Sequence, residues 1–311
     1  MSKVFKSLLI TALTSIALAS CTNPVEPEPD VEIVCEVESY YILGNTPIAT
    51  PVYKFTSNVE GPRVALVGGI HGDEVAGWNA AKRLLKNPNF KGEVLLIPYA
   101  NITADLVVNR WPGRGDGNKV SSALVNSKLR STTNEDFAEI YQNRDISMIG
   151  EYTFADLNRS FPGNPNGTIT EKLANAIYNE VISFNPDYCV DFHESLHTHY
   201  QLKGDATYLG DLIIYGGYQS SSIAMDIADT FNEKYLLDGE NEFEYYEATV
   251  IGSFCNVMGS ALPKAKVFTW ETNRENDGTN DTANLERRIE QQLQLTSVMF
   301  DFAYEDYAKS K

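Results

Sequence analysis

The chain has 311 residues, enough for one large domain or two ordinary ones, and 43% of them are hydrophobic, enough for a sizeable core. Its formal net charge of -17 at pH 7 argues against a nucleic-acid partner, because binding to phosphates requires clustered lysines and arginines. An anionic substrate would need a local positive site on this acidic protein.

The N-terminal segment has the pattern of an export signal. Two lysines precede an apolar stretch from Ser7 to Ser20, which is too short to cross a bilayer. The stretch ends in small residues before Cys21 and resembles the bacterial lipoprotein signal, in which the cysteine is lipidated; an ordinary secretory signal is the alternative. We therefore expect residues 1–20 to be a lipoprotein signal peptide. Such a protein is exported and anchored by lipid to a bacterial membrane, facing the periplasm or the cell exterior.

Residues 21–30 are rich in proline and glutamate, which predicts an extended, solvated tether. The folded part then comprises residues 31–311. Its three cysteines include no CxxC pair, a pattern that indicates buried free thiols rather than a disulfide scaffold.

The folded part begins with alternating strand and helix patterns. Strands are predicted at 31–37 and 50–55, and the apolar run at 63–70 predicts a strand that is buried on both faces. A helix at 73–85 and a strand at 92–101 follow. A strand, a helix and a strand of these lengths indicate a parallel crossover unit.

Residues 109–155 interrupt this alternation. The segment starts with a glycine-rich, polar stretch, and only 135–143 has a helical pattern. We interpret it as an insertion or long surface loop, a kind of segment that is typically functional or mobile.

The alternation resumes after this segment. Thr168 and Glu171 form a potential capping box at the start of a helix. Helices are predicted at 168–184, at 221–236 and from about 284, and strands at 187–192, 211–217 and 265–271. The whole pattern predicts a single α/β domain with a mixed, mostly parallel β-sheet flanked by helices. Active groups in such sheets gather at the carboxyl ends of strands.

Histidines and carboxylates follow three of these strands. His71 and Glu74 lie three residues apart in a glycine-rich turn, His193 follows a second strand, and Glu271 ends a third. Two imidazoles and one carboxylate are the protein ligands of many catalytic zinc sites, which leave one position open. Taken alone, the motif at His71 is also compatible with a tight loop that carries a solvent-facing histidine.

Four motifs occur in a fixed order: GGIHGDE (68–74), DLNRSFPG (156–163), VDFHES (190–195) and FTWE (268–271). Together they resemble the zinc carboxypeptidase superfamily, including its relatives in the succinylglutamate desuccinylase and aspartoacylase group. The resemblance extends over roughly residues 45–305 and implies a zinc carboxypeptidase-like fold.

The resemblance also implies roles for individual residues. His71, Glu74 and His193 match the ligands of one Zn²⁺ ion, and Glu271 matches the catalytic glutamate, which takes a proton from water and returns it to the leaving amine. Asp156 matches an aspartate that orients a ligand histidine.

Further matches concern the substrate. Asn158 and Arg159 match the pair that binds a substrate carboxylate, a task that suits the guanidinium fork and provides the required positive site. Arg110 lies roughly where the family has an arginine that polarises the scissile carbonyl, with Arg114 as its competitor.

Tyr246 matches a mobile tyrosine near the substrate carboxylate, with Tyr245 as the alternative. His197 and His199 follow the third motif closely. Because three protein ligands already complete a catalytic zinc site, we interpret them as loop or pocket-rim residues.

The function expected from these observations is zinc-dependent hydrolysis of an amide bond next to a free carboxylate. A metallocarboxypeptidase acting on extracytoplasmic peptides or peptidoglycan stem peptides is the leading interpretation. A deacylase of N-acyl amino acids is the alternative. Two features count against it: only 40 residues follow Glu271, and Glu271 lies 78 positions after His193, a step that is more like the carboxypeptidases. A non-catalytic binding protein is the third interpretation.

Overall fold

The computed structural model describes residues 32–46, 48–72, 74–102, 157–167, 169–195, 201–203, 206–208, 210–273 and 284–311. The expected signal peptide, tether and 109–155 insertion lie outside these residues, and so does the capping residue Thr168. These expectations therefore stay predictions. From Ile33 onward the chain forms one compact unit.

The described part of the chain contains ten strands and five α-helices. The strands are β1 Cys35–Ile42, β2 Thr50–Ser57, β3 Arg63–Gly68, β4 Glu93–Ile97, β5 Tyr188–Ser195, β6 Gln201–Lys203, β7 Ala206–Tyr208, β8 Leu212–Gly216, β9 Glu244–Glu247 and β10 Lys266–Asn273. The helices are α1 Val75–Lys86, α2 Ile169–Phe184, α3 Ser221–Tyr235, α4 Phe254–Ala261 and α5 Leu285–Lys309. No helix among the described residues combines the length and the hydropathy needed to cross a membrane.

Eight strands form one mixed sheet in the order β1-β2-β4-β3-β5-β10-β8-β9. The central strands β4, β3, β5 and β10 are parallel to one another. β1, β2 and β8 pair in antiparallel fashion with their inner neighbours, and the edge strand β9 runs parallel to β8. The predicted α/β fold with a mixed, mostly parallel sheet and flanking helices is confirmed.

Each face of the sheet carries its own hydrophobic core. Leu66, Val190 and Trp270 belong to the core under α3 and α5, whereas Val67 and Cys189 belong to the core under α2 and α4. Successive strand residues alternate between the two faces, so neighbours in the sequence enter different cores. This alternation also decides which polar side chains meet at the strand ends.

The structure differs from the sequence prediction in the bounds of β1 and in two elements that were not predicted. β1 begins at Cys35 and continues to Ile42, beyond the predicted 31–37, because it pairs with β2 along its whole length. Helix α4 was not predicted; it has only eight residues, and its first turn is capped by the side chain of Ser253. Strand β9 was also missed, since its four residues are exposed and show no apolar alternation.

Candidate functional site

The site begins at the carboxyl end of β3, where the chain turns into α1. Gly69 adopts a positive φ of 73° in this turn, a conformation that favours glycine. A second glycine, Gly77, lets α1 lie against β5: a Cβ there would be 2.7 Å from the carbonyl oxygen of Phe192. Close packing of the first helical turn on β5 brings His71 and Glu74 to His193.

His71, Glu74 and His193 form a buried cluster. Nδ1 of His71 lies 2.8 Å from Oε1 of Glu74, and Nδ1 of His193 lies 2.6 Å from Oε2 of the same carboxylate. The two rings meet edge to face, with centroids 4.7 Å apart. One potential ligand atom from each residue lies within 4.8 Å of the others. The loop interpretation with a solvent-facing histidine was therefore wrong.

The charges of the cluster depend on one another. Burial alone would raise the pKa of the Glu74 carboxyl, but His71 and His193 hold it well below its usual range. Burial alone would lower the pKa of His193, but Glu74 and Asp191 raise it well above its usual value. The carboxylate thus stays ionised inside the protein.

The donor set fits a divalent metal ion. Two imidazole nitrogens and one ionised carboxylate converge from three directions, which is the composition of three-ligand zinc sites with an open position. The structure brings the three predicted ligands together; their role as ligands stays a prediction.

Two residues that were not predicted support His193 on the same face of the sheet. Asp191 Oδ2 lies 2.9 Å from Nε2 of His193, and the hydroxyl of Thr269 donates to Asp191 Oδ1. Strand alternation was the available signal, because Asp191 lies two residues before His193 and must share its face.

A second hydrogen-bond network, around Glu194, lies on the opposite face of β5 from His193. The Glu194 carboxylate accepts a hydrogen bond from the backbone N–H of Ala76 at 2.8 Å and from Nε of Arg288 at 2.5 Å. Nε2 of Gln292 donates to the carbonyl of His193 at 2.6 Å. Both Arg288 and Gln292 lie on α5, so this helix fixes the end of the strand that carries His193.

Glu271 lies beside His193 in the sheet. The two residues are register partners on the parallel strands β10 and β5, and their side chains therefore share the site face. Glu271 is 7% exposed, so a carboxylate at the end of this strand is mostly shielded from water. The position agrees with the predicted catalytic role without testing it.

Asn158 and Arg159 lie in a short 3₁₀ turn, Leu157–Arg159, over the same face. Oδ1 of Asn158 accepts a hydrogen bond from the backbone N–H of Phe254 at 2.8 Å. The backbone N–H of Phe161 donates to the carbonyl of Gly252 at 3.0 Å. These bonds clamp residues 158–161 to residues 252–254. The Arg159 side chain is exposed and donates one N–H to the carbonyl of Asn158, one of five donors on the guanidinium.

The sheet register separates the two candidate tyrosines. Tyr246 pairs with Ile214 and, through it, with Thr269, whose side chain is on the site face. Tyr245 is the preceding residue of the strand, and its side chain therefore points to the opposite face of the sheet. The structure therefore favours Tyr246 over Tyr245 as a residue that can face the site.

Other candidates lie outside the described residues. They are Cys21, Arg110, Arg114, Asp156, His197 and His199. Their predicted roles stay predictions.

A family model of the succinylglutamate desuccinylase/aspartoacylase catalytic domain matches residues 60–110, which include the first histidine motif. The N-alpha-acetyl-L-2,4-diaminobutyric acid deacetylase of Halomonas elongata is 28% identical over 142 residues, which is 45% of this chain and 30% of the deacetylase.

Two solved structures share the fold. The mDAP-bound form of Helicobacter pylori Csd4, a D,L-carboxypeptidase, aligns with a TM-score of 0.52 at 17% identity, over 78% of this chain and 51% of Csd4. A succinylglutamate desuccinylase/aspartoacylase from Rhodobacter sphaeroides aligns with a TM-score of 0.51 at 16% identity, over 88% of this chain and 67% of that chain. The chain thus spans about half the length of Csd4.

The chain therefore shares its α/β fold with both structures, and its residues 60–110 match the catalytic-domain model. The resemblance to the zinc carboxypeptidase-like group that includes the succinylglutamate desuccinylases and aspartoacylases is confirmed.

Proposed function

We propose that the protein is a zinc-dependent hydrolase that cleaves an amide bond next to a free carboxylate. The observation that carries this proposal is the buried His71–Glu74–His193 cluster with Glu271 in register beside it. A bound zinc ion would supply Lewis-acid activation of water and of the scissile carbonyl.

The chain's own residues would transfer the proton and bind the substrate. Glu271 would accept a proton from water and pass it to the leaving amine, which its position at the strand end allows. Arg159, with the amide of Asn158, would bind the substrate carboxylate and fix which amide lies at the cluster. The 3₁₀ turn is held by the clamp to residues 252–254, so this recognition would be preorganised.

Two substrate classes fit this arrangement. A carboxypeptidase would bind the C-terminal carboxylate of a peptide, and the shared fold with a D,L-carboxypeptidase supports this class. Within it, we propose extracytoplasmic peptides or peptidoglycan stem peptides as substrates. A deacylase would bind the carboxylate of an N-acyl amino acid; the family match and the identity to a deacetylase support that alternative. Both reactions hydrolyse an amide beside a carboxylate.

We also propose that the protein works outside the cytoplasm, held to a membrane by a lipid on Cys21. The support is the N-terminal sequence alone, with its short apolar stretch ending in small residues before the cysteine. Labelling of cells with a radioactive fatty acid would test it; loss of the label in Cys21→Ser, with the protein retained in the cytoplasm or released as a soluble form, is expected.

The reaction is tested with the zinc-loaded mature protein and a panel of peptides, muropeptides and N-acyl amino acids, with products identified by mass spectrometry. We expect one class to be hydrolysed, and Glu271→Gln to slow it by about 10²–10⁴-fold, the usual effect of losing a general base. Glu247→Gln is the matched control. This residue is exposed on β9, on the face opposite the site, and its replacement should leave the rate unchanged.

The products distinguish the two classes. Release of single C-terminal residues would establish the carboxypeptidase, and release of acyl groups would establish the deacylase. Equal inactivity of wild type and Glu271→Gln with zinc bound would refute hydrolysis and favour a binding protein.

A further inference from the structure

Asp191 contacts the ring nitrogen of His193 that points away from the cluster. Asp191 and His193 lie two residues apart on β5 and are 0% and 1% exposed. Oδ2 of Asp191 is 2.9 Å from Nε2 of His193, while Nδ1 of the same ring lies 2.6 Å from Oε2 of Glu74. The two nitrogens of one imidazole therefore face two carboxylates, one inside the cluster and one behind it.

The Asp191 carboxylate is fixed by the neighbouring strand. Thr269 is its register partner on β10, is itself buried, and donates its hydroxyl to Oδ1. One oxygen is thus bonded to Thr269 and the other to His193. The orientation of the carboxylate is set by two strands and not by solvent.

A second polar group lies near Nε2 of His193, and it favours the other protonation state of that nitrogen. Nδ2 of Asn158 lies 3.5 Å away. The amide orientation is determined, because Oδ1 of Asn158 accepts the backbone N–H of Phe254 and Nδ2 must then face the ring. An amide nitrogen only donates, so it would favour an Nε2 without a proton. Oδ2 of Asp191 accepts a hydrogen bond and therefore favours a protonated Nε2. It lies 2.9 Å from Nε2, closer than the amide nitrogen at 3.5 Å, so we expect the protonated Nε2.

We propose that Asp191 is a positioning residue of the metal centre: it holds the Nε2–H of His193, so that Nδ1 directs its lone pair into the cluster. The inference rests on the proposed function, since it takes the ligand of the cluster to be a metal ion. Thr269 would support the same role indirectly. A carboxylate behind a ligand histidine fixes the ring and increases the basicity of the ligating nitrogen.

Zinc affinity, measured by competition with a chromophoric chelator, provides the first test. Asp191→Asn should weaken zinc binding by about 10–100-fold, because the neutral amide is a weaker acceptor whichever way it turns. Thr269→Val should weaken it less, since the carboxylate remains and only its support is lost. Asp306→Asn is the matched control; this carboxylate accepts the hydroxyl of Tyr188 at the other end of β5, 2.7 Å away, and zinc affinity should not change.

Nitrogen-15 NMR of the wild-type protein provides a second, independent test. The chain has only four histidines, so the imidazole signals are few. We expect a proton on Nε2 of His193, protected from exchange, both without and with zinc, and we expect Asp191→Asn to lose that protection. An unprotonated Nε2 in the wild type would overturn the proposal, and so would an Asp191→Asn protein with unchanged zinc affinity and an unchanged spectrum.

The two tests separate this inference from the proposed reaction. The wild-type spectrum requires no variant, so it remains decisive if Asp191→Asn fails to fold. It also requires no activity. A protein that binds zinc and hydrolyses nothing would refute the reaction and leave the role of Asp191 standing.

Discussion

His193 and Glu194 are consecutive residues of β5, and their side chains enter opposite faces of the sheet. On the site face, the Glu74 carboxylate lies between His193 and His71. On the other face, the Glu194 carboxylate lies between the Arg288 side chain and the first turn of α1. Two buried carboxylates within one small region are thus neutralised in different ways.

The two carboxylates differ in whether a metal ion can replace the proton on the partner side chain. An imidazole can give up its proton and coordinate a metal ion, so a carboxylate held by two histidines can accept a cation from outside the protein. A guanidinium stays charged under all ordinary conditions. Glu194 therefore has a permanently charged partner and a structural role, whereas Glu74 can take the role of a metal ligand that we propose for it.

Replacing Arg288 should produce the largest effect on stability. Arg288→Met leaves Glu194 buried without its cation, and we expect a loss of about 3–5 kcal/mol in the free energy of unfolding. Chemical denaturation followed by circular dichroism measures the loss. At a temperature where the variant is folded, its zinc affinity should fall less than that of Asp191→Asn.

Arg83→Met is the matched control, because Arg83 on α1 forms an arginine–glutamate pair with Glu286 on α5 that is exposed rather than buried. Such surface pairs contribute about 0–1 kcal/mol, so stability should hardly change. A large loss in this control, or a loss below about 1 kcal/mol in Arg288→Met, would contradict the distinction between the buried and exposed pairs.

A smaller effect is expected at Gly252, where residues 252–254 bind the 3₁₀ turn that carries Asn158 and Arg159. Gly252 has a φ of 79°, and a Cβ there would lie 2.4 Å from the carbonyl oxygen of Arg159. Gly252→Ala should therefore cost about 1–2 kcal/mol for the backbone and a further ~1–3 kcal/mol for the contact. The displaced turn should raise KM for a carboxylate substrate more than it lowers kcat.

Gly239→Ala is the control that separates the backbone cost from the contact of the new methyl group with Arg159. Gly239 has a similar φ of 88°, but a Cβ at this position would meet no other atom within 4 Å, so only the backbone cost applies. Equal losses of stability and equal KM values for the two variants would show that the clamp does not position Arg159.

The residues that build the cluster were predictable because their positions follow from local patterns. Apolar runs predicted the strands, and the strand ends located His71, Glu74 and His193. Asp191 was also accessible in principle, since a residue two positions before a site residue on a strand must share its face.

The partners of these residues were not predictable, because they depend on which distant segments meet. Arg288 reaches Glu194 from α5, 94 positions along the chain, and no local pattern indicates that contact. The clamp between Asn158 and Phe254 joins positions 96 apart. Short elements such as β9 and α4 were missed for a different reason, since four to eight residues contain too little periodicity to identify.

The smallest expected effect concerns Arg287, which lies next to Arg288 but forms a pair that is only partly buried. Arg287 Nε lies 2.6 Å from Oε1 of Glu240, and a second nitrogen lies 2.7 Å from Oε2. Burial alone would raise the pKa of Glu240, but hydrogen bonds from Arg287 and from the backbone of Leu237 outweigh it and lower the pKa below the ordinary 4.5. The folded state therefore holds the proton less tightly than the unfolded state.

Because the pKa is lowered on folding, the pair stabilises the protein above pH 4.5, and this contribution is lost as the pH falls through the folded-state pKa. Glu240→Gln should cost about 1 kcal/mol at neutral pH, the upper end for a partly exposed pair. The difference in Tm between wild type and variant should shrink as the pH falls below 4.5. A difference that stays constant across that range would mean that the bidentate pair is not what stabilises this end of α5.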